Sequence, residues 1–322
     1  MKKSAMSLLA MLLCICMVSV TAYGAEYLIP VGQVIGLELA DANVTVAAFD
    51  DVLGTDTKKA GLCIGDRLLT IDGRTISCVQ DVRQALQCGK ETISVQISRK
   101  GRTQSLQLHP RQTADGPKLG IFLKQGVTGI GTVTFYDPDT GEFGTLGHGV
   151  NSADGKLLEM TSGKAYAADV VSVKPGKSGE PGQLRGAVNA GKPLGELRSN
   201  TGKGVFGSTA TGWQGSALPV GASGEVKTGP ATILSTVGGE GVQEYSVEIL
   251  KIYPKTKDSD RNLVIRVTDE TLLATTGGIV QGMSGSPIIQ DGKLVGAVTH
   301  VLVNDPTTGY GIFIENMLDA AA

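Results

Sequence analysis

A serine that attacks a carbonyl needs a base for its proton, a group to orient that base, and donors for the oxygen that becomes charged. Ser284 stands in the run Gly282-Met283-Ser284-Gly285-Ser286-Pro287. Glycines at 282 and 285 permit a turn at φ values that a side chain resists. Such a turn exposes the Ser284 hydroxyl and aims the amides of Gly282 and Ser284 at one point, an oxyanion hole. A glycine-rich hairpin is the plainer alternative in a chain with 45 glycines. Ser286 offers a second hydroxyl, or is a turn residue bonded locally.

Three histidines compete for the post of base: His109, His148 and His300. His109 precedes Pro110 at the end of a first domain, an edge position. His148 lies in Phe143-Gly144-Thr145-Leu146-Gly147-His148-Gly149-Val150, where flanking glycines leave the ring accessible. His300 falls inside a strand downstream of Ser284. His148 is the preferred base. For the orienting acid, Asp154, Asp169, Asp258, Asp260 and Asp269 all lie between His148 and Ser284. Asp154 sits in a hairpin turn, Asp169 in no distinctive context, and Asp258 and Asp260 in a polar loop. Asp269 follows an alternating strand and is open to two readings, a fixed carboxylate or the N-cap of a helical turn.

These residues need elements to hold them. Residues 119–322 read as short strands separated by glycine turns, for example 131–136, 242–252, 262–267 and 294–303. That spacing suits an antiparallel barrel or sandwich. The glycine-rich stretch 176–229 stays unassigned. Residues 30–110 form a smaller α+β unit, with a strand at 31–39, an Asp72-Gly73 hairpin turn and helical spacing at Val79, Val82, Ala85 and Leu86. Two more strands follow, joined by a Lys100-Gly101-Arg102 turn. Residues 111–118 read as a polar linker.

Composition narrows the classes. The chain has 322 residues, room for two domains, and a net charge of -2, which argues against a nucleic-acid partner. Aromatics are only 4%, and abundant β-branched residues favour sheet. Residues 1–25 read as a targeting segment, with Lys2-Lys3 followed by an apolar run of signal-peptide length. It acts either as a cleaved signal or as an N-terminal anchor, and both put the bulk of the protein outside the cytoplasm. Of five cysteines, Cys63, Cys78 and Cys88 fall beyond that segment and read as buried free thiols. Nothing has metal-ligand spacing, and no cofactor is expected.

Residues Ala60 to Gly73, with Ala-Gly-Leu, Gly65-Asp66 and Ile71-Asp72-Gly73, resemble a PDZ domain. That resemblance implies that Val34-Ile35-Gly36-Leu37 is the carboxylate-binding loop, where a peptide terminus adds a strand beside the helix starting near Val79. The order His148, Asp269, Ser284 and the turn 282–287 resemble chymotrypsin-like proteases, which are double β-barrels. Met283 replaces the aspartate that pairs with a freed N-terminus in trypsin-like zymogens, so that route of activation is absent. The likeness also implies that the strand carrying Val298, Thr299, His300 and Val301 pairs with substrate backbone.

Together the two halves resemble the SpoIVB peptidase family of endospore-forming bacteria. The residues that carry it are Gly129 to Pro138, Gly144 to Gly149, Gly277 to Ile289, Gly296 to Val301 and Asn304-Asp305-Pro306. The resemblance favours Asp269 as triad acid. It implies a membrane-associated serine endopeptidase, secreted from the forespore into the intermembrane space. Such an enzyme cleaves a membrane-bound regulator of an intramembrane protease, activates a late sigma factor, and processes itself. The competing reading is a non-catalytic PDZ scaffold with a degenerate protease fold.

Overall fold

The computed structural model describes residues 27–152, 155–189, 191–239, 241–253 and 261–322. The targeting segment, Asp154, Asp258 and Asp260 lie outside the described residues. Among the described residues no helix is long and apolar enough to cross a membrane.

Two closed barrels of six antiparallel strands make up the larger part. The first joins Val34–Asp41, Val127–Tyr136, Glu142–Thr145, Met160–Lys174, Gly195–Thr201 and Gly204–Ser208. Its interior is lined by alternate residues of these strands, among them Ile35, Leu37, Leu39, Val133, Phe143, Ala165, Leu197 and Val205. The second joins Gly229–Ser235, Gln243–Ile252, Leu263–Val267, Pro287–Gln290, Lys293–Leu302 and Asp305–Phe313. Val247, Ile249, Leu263, Ile265, Ile288 and Val298 fill it. Closure removes the sheet edges that such apolar strands would otherwise expose. The strands at 131–136, 242–252, 262–267 and 294–303 fall where expected. The unassigned stretch supplies strands Gln183–Val188, Gly195–Thr201 and Gly204–Ser208.

Between the first two strands of the first barrel the chain leaves to build the PDZ domain, then returns. Its sheet runs Ile121–Lys124, Val44–Phe49, Arg67–Ile71, Ile93–Arg99, Arg102–Leu108, flanked by helices Thr55–Lys59 and Val79–Leu86. Val44, Leu62, Leu68, Ile71, Val82, Ile93, Val95, Ile97 and Leu119 give it a core of its own. The buried Asp66 of the Gly-Asp pair receives Arg99 through Nε and Nη2, at 2.7 and 2.6 Å. Asp72 and Gly73 both take positive φ, as do Lys100 and Gly101, so both expected hairpin turns form.

Two boundaries read from the sequence are corrected. Val34, Ile35, Gly36 and Leu37 are not a PDZ peptide-binding loop. They belong to the first barrel, paired with Val127–Tyr136 on one side and Met160–Lys174 on the other. With both edges bonded, no peptide strand can add there. The apolar pattern suits any buried strand, and pairing decides which sheet receives it. Likewise 111–118 is no linker, but a hairpin of Arg111–Thr113 and Gly116–Lys118. The outer PDZ strand is Ile121–Lys124, entered through Leu119 and Gly120, the latter at φ +63. It is an edge strand of that sheet, and Ile121 and Leu123 pack on the same core as Val79 and Val82. Gln125 ties this junction together, donating to Asp41 O and Ser77 O and accepting from Val79 N. The three thiols are free as expected, but Cys63 and Cys88 are exposed and not buried.

Candidate active site

Ser284 sits on a turn whose backbone is bonded from three directions. Gly285 N donates to Val298 O at 2.7 Å, and Thr132 N donates to Ser284 O at 3.0 Å. The Thr132 hydroxyl donates to Gly282 O at 2.8 Å. Gly282 and Gly285 take φ +102 and +97. A Cβ on Gly285 would lie 2.0 Å from Thr132 O, so only glycine fits. Met283 is fully buried in the second core and anchors the turn by packing. Among the described residues the amides of Gly282 and Ser284 donate to no protein acceptor. Two unspent donors beside a hydroxyl are of the kind that can receive an oxyanion.

His148 follows Thr145, Leu146 and Gly147 at the end of a first-barrel strand. Leu146 and Gly147 take φ +71 and +68. A branched side chain at positive φ carries strain of about 1–3 kcal/mol, which the surroundings must hold. Thr132 O does so, accepting from Leu146 N at 3.3 Å and from the Thr145 hydroxyl at 2.6 Å. Thr132 therefore holds both the serine turn and the histidine loop. Beyond His148, Asn200 accepts from Val150 N at 2.9 Å and donates to Val150 O and Leu158 O at 2.8 and 2.9 Å.

The His148 ring has its Nδ1 2.9 Å from Gly149 O. A carbonyl only accepts, so in this bond Nδ1 carries the proton and Nε2 offers the lone pair. That is the tautomer a general base requires. His300 stacks beside it, ring centroids 4.8 Å apart and tilted by 37°. Ser284 Oγ donates to Thr299 O at 2.6 Å. Thr299 falls at a register shift between Val298 and His300, and a bulge of this kind turns a carbonyl out of the ladder.

His148, Ser284, Gly282, Thr299, His300 and Val301 line one cleft of about 800 Å³ between the barrels. Val298 does not line it. Its side chain is in the core, and its N–H and carbonyl are spent on Ser286 O and Gly285 N. Asp269 is not brought to this cleft either. It caps helix Glu270–Thr276, accepting from Leu272 N at 2.9 Å through Oδ1 and from Ser246 N at 3.4 Å through Oδ2. A carboxylate used twice by backbone amides beside a helix start is explained by that role. Ser286 is fully buried and bonded to the Ser235 hydroxyl, away from the cleft. His109 bonds Thr92 and Glu91 at the PDZ surface. Thr132 and Asn200 were not singled out by sequence reasoning, since a threonine in a strand and an asparagine at its end carry no signature of their own. Among the described residues no group of three or more His, Cys, Asp or Glu is placed to hold a metal ion.

Two antiparallel barrels, with a serine turn from one and a histidine loop from the other meeting in the cleft, define a double-barrel serine peptidase. The chain belongs to the SpoIVB peptidase S55 family, whose model matches residues 115–318, and a PDZ-domain model matches residues 58–99. Among solved structures it is similar to the Rv3671c protease of M. tuberculosis in its active form, with 18% identity and TM-score 0.35 over 60% of this chain and 71% of that one. It is also similar to the PDZ domain of the SdrC-like protein Lmo2051 from Listeria monocytogenes, with 20% identity and TM-score 0.22 over 26% of this chain and 87% of that one. A Rhizobium meliloti (strain 1021) protein named as a zinc metalloprotease, R01501, is 37% identical over 101 residues, 31% of this chain. The chain spans 26% of that relative's length.

Proposed function

We propose that Ser284 is the nucleophile and His148 the general base of a serine endopeptidase acting through an acyl-enzyme. The hydroxyl leaves Thr299 O and gives its proton to His148 Nε2 as Oγ bonds to the scissile carbonyl carbon. The amides of Gly282 and Ser284 hold the resulting oxyanion. Collapse breaks the C–N bond, and His148 returns the proton to the leaving amine. Water then repeats the cycle on the ester and frees the acid. The Gly149 carbonyl orients the imidazole, the task the resemblance assigned to Asp269. The observation that carries this reading is the pair of unspent amides beside a hydroxyl in a cleft that also holds His148. Thr299, His300 and Val301 border the substrate, the first releasing its carbonyl when Ser284 turns away.

The family supports a finer reading: cleavage of a membrane-bound regulator of an intramembrane protease in sporulation, self-processing, export by residues 1–25 and association with the membrane. The free edge of Ile121–Lys124 receives the peptide terminus, the substrate's or the chain's own. Replacing Ser284 by alanine tests the chemistry. Cleavage of a protein substrate, self-cleavage included, should fall by about six orders of magnitude, as when a triad serine is removed, with the melting temperature unchanged. Undiminished cleavage in that variant would overturn the assignment.

A further inference from the structure

The nucleophile and the oxyanion amides fix where a scissile carbonyl must sit, and so where the side chain of the residue before it must point. Two segments flank that spot. One is 279–282, leading into the serine turn. The other is 299–303, whose Thr299 carbonyl lies 2.6 Å from Ser284 Oγ. Their cleft-lining residues include the apolar Ile279, Val280 and Val301 beside the polar Gln281, Thr299 and His300. No Asp, Glu, Lys or Arg lines the cleft among the described residues.

A third wall comes from the other barrel. The hairpin of Met160–Lys174 and Gln183–Val188 sends its tip, 175–182, across to the second barrel. Gly176 N donates to Thr276 O, Gly179 N to Val303 O and the Ser178 hydroxyl to Asn304 O. Gln281 N donates to Gly182 O, and Leu184 N to Gln281 O. These bonds pin Pro181 against the cleft as a strap. Ile279 itself is held fast: its Cδ1 packs towards Gly309, where a Cβ would come within 2.6 Å of it, and its side chain belongs to the second-barrel core.

We propose that this pocket, walled by Ile279, Val280, Val301 and Pro181, selects a neutral aliphatic residue of valine or leucine size before the scissile bond. The inference rests on Ser284 as nucleophile. A charged side chain entering it loses its water and meets no Asp, Glu, Lys or Arg among the described lining residues, a penalty that proteins avoid. An aromatic ring meets the fixed Ile279 side chain. A valine or leucine side chain fills the space and buries apolar surface.

Peptidyl diphenyl phosphonates differing only in that residue (valine, leucine, phenylalanine, lysine, aspartate) test the proposal on the full chain, read as rates of covalent labelling. A simple alkyl fluorophosphonate without a peptide serves as the parallel probe of Ser284 itself. Valine and leucine should label at least about 100-fold faster than lysine or aspartate, the discrimination expected when a charge is left unpaired. They should label roughly tenfold faster than phenylalanine. Ile279→Ala should remove the bias against phenylalanine, and Val301→Asp should raise the lysine rate by about tenfold or more. Equal rates across the series, or lysine or aspartate in front while the fluorophosphonate still labels, overturn the pocket. No labelling by any probe overturns the nucleophile reading instead.

Discussion

The serine turn and the histidine loop face each other across one cleft but are built by different means. The turn is held mostly by main-chain bonds, with the buried Met283 side chain and the Thr132 hydroxyl in support. Gly285 lies against Thr132 O where even a Cβ would clash. The loop is held by side chains, with Thr145 on one flank and Asn200 on the other, around a leucine in a left-handed conformation. A site fixed by backbone has little room to adapt, whereas one fixed by side-chain hydrogen bonds can shift when any one of them is lost. On the proposed assignment, the nucleophile is the rigid half and the base is the adjustable half.

Substitution can break that contrast. Gly285→Ala should hit hardest, because the clash is with backbone and cannot relax locally. Peptidase activity is expected to fall by about 1000-fold, with a loss of about 2–4 kcal/mol in urea unfolding. Asn200→Ala strips three bonds from the histidine loop. We expect kcat to drop by about 100-fold through misplacement of the base, while alkyl fluorophosphonate labelling at high pH, where less help from a base is needed, recovers most of the loss. Were the loop as rigid as the turn, kcat would scarcely move. Thr132→Val keeps the backbone bond to Ser284 but removes the hydroxyl from Gly282 O. About a tenfold loss in kcat and about 1–2 kcal/mol in stability should follow, and KM should stay put. Asp269→Asn preserves a cap and should leave kcat within about threefold and stability within about 0.5 kcal/mol. A catalytic acid would instead lose about 10⁴ in kcat on that change, so this variant separates the cap from the triad most sharply.

Much of this was legible beforehand. The glycines around Ser284, the histidine between glycines and the Asp72-Gly73 turn each state a local demand that only certain residues meet. The helix over Val79–Leu86 came from the same kind of information. What failed to show was pairing. Val34-Ile35-Gly36-Leu37 and Leu119-Gly120-Ile121-Phe122 have similar apolar and glycine patterns, yet one strand lies inside a barrel and the other forms a sheet edge. Side-chain pattern reports how many faces are buried, not which strand lies alongside. Asp269 shows the same limit from another direction, since a carboxylate before a helix meets the need of a cap and of a triad alike. Only the fold shows which amides surround it.

The PDZ domain interrupts the first barrel between strands that must pair, with Leu39 opposite Val127. To a folding chain this is a long loop to close before the barrel's first two strands can meet. Closure entropy grows slowly, by about 0.6 kcal/mol for each doubling of loop length. Even so, contacts between distant segments set the pace of folding in all-β domains. An insert with its own core changes that kinetic problem. Once Val44–Phe49 and Ile121–Lys124 have paired, Asp41 and Val127 are held side by side, and the remaining loop is no longer than a hairpin. The PDZ domain, with a core of its own, thus offers an intramolecular nucleus that shortens the loop on which closing the first barrel depends.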